Sequence, residues 1–175
     1  MSSVQASRVL RLNLLARFDA LFNDSLTTAC AEFGIGDLSY AIDFSQSLGV
    51  QNFFEGNRSF EGLLFHHEPT FPAVAFWIGP GQDRQLAKPR KFSGEITAYW
   101  RFWFAVEGRL KPGLVDLREA TESAMIQTLD PEMPGFGYHG LGWNDINEQV
   151  WLDQEQKAIG YVQEIVYSAS FEVNV

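Results

Sequence analysis

The groups in this 175-residue chain that could hold a metal or do acid–base or nucleophilic work are three histidines, one cysteine and 22 acidic residues. His66-His67-Glu68 is the only histidine cluster. Neighbours on a strand point to opposite faces, so at most one imidazole and a residue two positions away can share a metal. Zinc wants three or four convergent ligands, and beyond this cluster only His139 remains. A surface or loop role is therefore expected, with no metal. Cys30 lies in a helical stripe with no base beside it, which is not how a thiol nucleophile is activated. A single cysteine makes no internal disulfide and suits a reducing cytosol. Gly79-Pro80-Gly81 lacks the Lys-Ser/Thr of a phosphate loop. The run from Gly135 to Gly142 neither follows a clear strand nor opens a helix, and is expected to be a flexible or aromatic-anchored loop. Asp153 and Glu155 stand in a polar stretch, whereas paired carboxylates catalyse only inside a cleft. The expectation is a protein that is not an enzyme and uses no cofactor.

Charge offers a different kind of chemistry. The chain has 22 acidic and 13 basic residues, for a net charge of −9. Residues 1–111 are balanced at 11 of each sign, while residues 112–175 hold only Arg118 and Lys157 against 11 acids. Such a balance argues against a surface that wraps nucleic acid, because backbone binding is led by Lys and Arg. The one positive patch is the loop with Arg84, Lys88, Arg90 and Lys91. It has three readings: a solvated hairpin, a nucleic-acid contact, or a salt-bridging contact with the acidic last third of a neighbouring copy.

The elements that must position these groups follow from periodicity. Composition is 46% apolar and 14% aromatic, enough for one packed domain over 1–175 and too apolar for disorder. Leu10, Leu14, Phe18, Leu21, Phe22, Leu26, Ala29 and Phe33 recur at three- and four-residue steps, which predicts a helix over 7–33 stopped by Gly34 and Gly36. Three arginines interrupt that leucine-rich stretch, unlike a signal-peptide core. The longest apolar runs, Ala73–Ile78 and Phe102–Val106, are far short of the ~20 residues that cross a bilayer.

Residues 34–72 are expected to be an irregular insertion or hairpin, with one short strand at Leu38, Tyr40, Ile42 and Phe44. A buried strand is predicted over 72–78 and a long one over 94–107. In the long strand one face is wholly apolar; the other carries Tyr99, Arg101 and Trp103 and is expected to be covered by protein or by a partner chain. A helix over 114–129 follows, then a short strand near 149–152 and a terminal alternating strand over 160–175. The fold class expected is α+β: a mainly antiparallel sheet with two helices on one face.

This order, carried by the leucine-rich helix, the Phe71–Trp77 strand, the 94–107 strand, the helix opened by Asp116 and the terminal strand, resembles tail terminator (tail completion) proteins of long-tailed bacteriophages over 7–33 and 71–175. The resemblance brings no catalytic residues. It implies a virion protein made in the host bacterial cytoplasm. Copies would form a ring, such as a hexamer, on the major tail tube protein and meet head–tail connector proteins, with DNA passing nearby unbound. Contacts are then expected at Tyr99, Arg101 and Trp103, at Arg84, Lys88, Arg90 and Lys91, and at Phe171, Val173 and Val175. The alternative is a cone-shaped α+β domain of ketosteroid-isomerase type, in which Trp100, Phe102, Phe104, Tyr161 and Tyr167 would line a small-molecule pocket.

Overall fold

Leucine and phenylalanine at helical spacing build the longest element. A computed structural model describes residues 3–35, 41–62, 70–79, 85–88, 91–106, 113–130, 132–152 and 158–173. Helix α1 (Ser3–Glu32) buries Ala6, Leu10, Leu14, Phe18, Phe22, Leu26 and Ala29 along one stripe. It ends on Gly34 at φ 67°, with Ile35 N donating to Cys30 O (2.8 Å) and Gly34 N to Ala31 O (3.2 Å). These two bonds satisfy carbonyls that the last turn leaves unpaired, and the left-handed residue is one glycine adopts without a Cβ clash.

The strands are β1 (Phe53–Glu55), β2 (Ala73–Ile78), β3 (Gln85–Lys88), β4 (Lys91–Ser93), β5 (Glu95–Val106), β6 (Phe136–Leu152) and β7 (Ala158–Val173). Helix α2 (Gly113–Leu129) lies between β5 and β6. Five strands form one sheet in the order β1-β2-β5-β7-β6, and β3 and β4 form a separate two-stranded sheet. The fold is α+β as expected, but the sheet is mixed, because β1 runs parallel to β2 while the other pairs are antiparallel.

The apolar face of the sheet meets both helices. Trp100 stacks on Phe18 (5.0 Å, 17°) and Phe102 on Phe22 (5.3 Å, 18°), so the rings of α1 and β5 interleave. Each such pair adds about 0.5–1.5 kcal/mol beyond the burial of its area. On α2, Leu117, Ala120, Ala124, Met125 and Leu129 are buried; Thr121 and Thr128 share that interior by donating their hydroxyls to Leu117 O and Ala124 O (both 2.7 Å). Arg17 of α1 donates to Leu129 O (3.4 Å) and Glu132 O (3.0 Å) at the negative end of α2, which ties the two helices together.

Two expectations are corrected. Residues 36–40 lie outside the described residues, and 41–44 are not a strand. Asn23 of α1 instead takes both main-chain groups of Ile42, accepting from its N–H (2.8 Å) and donating to its carbonyl (2.9 Å). Asn52 does the same for Asp43 N (2.9 Å) and Ala41 O (2.8 Å), and the buried Asp43 carboxylate accepts from Ser47 N and Leu48 N. Side-chain amides thus replace a strand ladder here.

The second correction concerns the Gly135–Gly142 loop and the short strand at 149–152, which are one continuous strand, β6. Phe136, Tyr138, Leu141 and Trp143 stand opposite Val173, Phe171, Ala169 and Tyr167; Gly137, Gly140 and Gly142 stand opposite Glu172, Ser170 and Ser168. Register shifts after Tyr138 and after Trp143 each insert one extra residue. These bulges turn a two-residue period into an uneven one, which hides the strand from pattern reading. At the first bulge Gly140 has φ 144°, a conformation that residues with a Cβ rarely adopt.

Candidate functional site

The second face of the sheet carries three of the residues expected at a contact, Tyr99, Arg101 and Trp103. There Phe54 of β1, together with Phe60 and Phe71, packs against Ala73, Ala75, Trp103 and Val162. Phe60 and Phe71 of the 34–72 stretch thus supply protein cover of the kind that the large second-face residues of β5 called for, while Ile42, Phe44 and Phe53 pack on the helix side. Trp103 is fully buried, and its Nε1 donates to Glu164 Oε2 at 2.7 Å. Arg101 approaches the other carboxylate oxygen of Glu164 at 3.8 Å, lies 5.4 Å over the Trp77 ring and donates to the carbonyl of Arg58. Burying a carboxylate is costly unless it is paired and hydrogen-bonded, and here one indole and one guanidinium meet that demand.

Tyr99 continues the row, partly buried and stacked on Trp77 at 5.2 Å and 8°. Gly79 makes room for it, since a Cβ there would stand 2.6 Å from the Tyr99 ring. Of the three contact residues expected on this face, Tyr99 and Arg101 keep partial exposure and Trp103 has none.

The remaining expected contacts divide. Phe171 and Val173 are interior, on the helix-covered face, because β7 is a central strand rather than a border; as contact residues they are corrected. Lys88 and Lys91 lie in β3 and β4. Arg84, Arg90 and Val175 lie outside the described residues, as do His66, His67, Glu68, Asp153, Glu155, Pro80 and Gly81.

Chemistry of the enzymatic kind finds little to work with among the described residues. They hold no group of three or more His, Cys, Asp or Glu that could take a metal. Cys30 is buried, and that burial pushes its thiol above the ordinary range, away from the thiolate a nucleophile requires. His139 sits exposed on β6, 3.5 Å from Glu172. Trp100, Phe102, Phe104 and Tyr167 are buried in the core cluster, and the side chain of Tyr161 lies outside the described residues. Tyr167 donates its hydroxyl to Arg118 O (3.0 Å), and burial, reinforced by Glu122, holds that phenol well above its ordinary range. An open groove of about 860 Å³ at the end of α2 is bordered by Asp130, Glu132, Met133, Phe136 and Tyr138. Burial, and then the charge of Asp130, push the Tyr138 phenol upward.

What stands open is a border. Among the described residues no strand pairs with the outer edge of β6, which runs for 17 residues without Lys, Arg or Pro. Natural sheets usually blunt such edges with those residues. The other border, β1, is three residues long and is flanked by the Arg11–Glu55 ion pair. Trp143, half-exposed, lies on β6 with the Arg118 guanidinium 5.5 Å from its ring. The sequence hid this border because the bulges hid its strand. The absence of any Lys or Arg between positions 118 and 157 is the signal that could have found it.

No helix among the described residues is long and apolar enough to cross a membrane. Neither the protein-family models nor the curated proteins contain a match to this chain.

Proposed function

We propose that the chain is a structural subunit that acts by assembling with copies of itself, as a ring-forming tail terminator that closes a bacteriophage tail tube and joins tail to head. The observation that carries this reading is the β6 border: a long run of main-chain donors and acceptors, regular from Asp145 to Trp151, that the described residues leave without a strand partner and that holds no Lys, Arg or Pro. Three further features support it. The order of elements is the one that resembles tail terminators. The rings of Trp100 and Phe102 pack against Phe18 and Phe22 of the chain's own helix, which favours a structural role over a binding pocket. The acidic surplus of residues 112–175 suits a surface past which DNA slides, since like charges repel.

The reading assigns the protein to the neck of a virion, in contact with the major tail tube protein on one side and head–tail connector proteins on the other. Co-sedimentation with assembled tail tubes tests it. The chain should pellet with the tubes at a fixed low ratio, as expected for binding at tube ends, and should give no mobility shift with duplex DNA at physiological salt. A chain that stays in the supernatant at every tube concentration contradicts the reading.

A further inference from the structure

We propose that the β3–β4 hairpin of one copy adds along the outer edge of β6 in the next copy, so that subunits join head to tail through a sheet shared between them. This rests on the self-assembly reading above and names its contact. The hairpin is as incomplete as the border. It is a two-stranded sheet separate from the main one, with strands of four and three residues, and its β3 edge has no strand partner among the described residues. A two-stranded hairpin alone is marginal in water at best.

Its charge is also unbalanced. In the register of β3 on β4, Lys88 stands directly opposite Lys91, an arrangement that destabilises a strand pair unless an acid comes close. Arg84 and Arg90 flank the same strands in sequence, and no acid occurs from 84 to 94. The border offers the complement: β6 carries Asp145 and Glu148 and no cation, and Asp153 and Glu155 follow it. From Asp145 to Trp151 the ladder with β7 has no register shift, which presents a regular edge longer than the four residues of β3. The two surfaces are different parts of the chain, so their contact is heterologous and repeats around a ring instead of closing a two-fold dimer.

Charge reversal and its compensation test the proposal, read by sedimentation velocity with circular dichroism confirming the fold. The wild-type chain should sediment as an oligomer. The double variant Lys88→Glu, Lys91→Glu should raise the dissociation constant by about a hundredfold or more, as facing like charges do. Adding Asp145→Lys and Glu148→Lys to that variant should restore the oligomer. For the wild-type chain, raising salt from about 0.05 M to about 0.5 M should loosen the assembly, because screened charges attract less. This readout stands even if a variant fails to fold. An oligomer that is indifferent both to reversal and to salt overturns the β3–β4/β6 contact while leaving self-assembly intact. A wild-type chain that is monomeric both alone and with tail tubes overturns the two together.

Discussion

Phe102 and Trp103 are neighbours in β5 and both are fully buried, yet they meet different surroundings. Phe102 faces the helices and touches rings: Phe22 at 5.3 Å, Phe104 at 6.1 Å and Tyr167 at 6.0 Å. Trp103 faces Phe54, Phe60 and Phe71 and is held by a carboxylate from β7, with Arg101 beside it. The dry face gains from area and shape, which tolerate any apolar sequence of the right volume. The opposite face gains from one hydrogen-bonded carboxylate, which tolerates almost no change, because a buried acid left without its donor keeps its desolvation cost. Both faces share the described part of the 34–72 stretch: Ile42, Phe44 and Phe53 join the helix-side core, while Phe54, Phe60 and Phe71 are held around Trp103.

Removing a ring from the dry face should have the largest effect. Phe102→Ala is expected to lower unfolding free energy by about 3–5 kcal/mol in urea titrations, through lost burial and the cavity left behind. Trp103→Phe keeps most of the apolar area and removes only the donor to Glu164. It should cost about 1–3 kcal/mol, and pairing it with Glu164→Leu should recover part of that loss. If Trp103→Phe is neutral, the two faces do not differ as described.

Gly140→Ala probes the bulge that lets β6 stay on the sheet. The positive φ there predicts a loss of about 1–3 kcal/mol, although nothing lies within 4 Å of the added methyl. The smallest effect belongs to Tyr167→Phe, about 1 kcal/mol for the bond to Arg118 O. That variant also carries a pH signature. The folded chain holds the Tyr167 proton above the ordinary range, while the unfolded chain releases it near pH 10. The folded state therefore binds more protons above that pH, and wild-type stability should fall as pH rises past about 10. Tyr167→Phe should flatten the fall, leaving the smaller contribution of Tyr138.

These effects also mark what could be read without coordinates. Helix α1, β5, α2 and β7 follow from unbroken periods in Leu10–Ala29, Ile96–Val106, Leu117–Leu129 and Tyr161–Val173, because one buried face imposes one spacing. Strand β6 does not, since two inserted residues break its period. The path of 41–52 depends on amides of Asn23 and Asn52, up to 19 positions from the groups they bind. Nothing in local sequence announces that bond. The same distance problem hid the cover over Trp103, whose partner Glu164 is 61 positions away. Large residues on both faces of β5 did signal that something covers the second one. That part of the cover comes from the chain's own Phe60 and Phe71 required the fold.

The central claim is that this protein works by self-association through the border it leaves open. Sedimentation equilibrium of the wild-type chain, over a wide range of concentration at low salt, tests it most directly. The account predicts one closed assembly of several subunits whose mass stops growing once formed. A species that keeps the mass of a single chain at every concentration, with tail tubes present as well as without them, would contradict it.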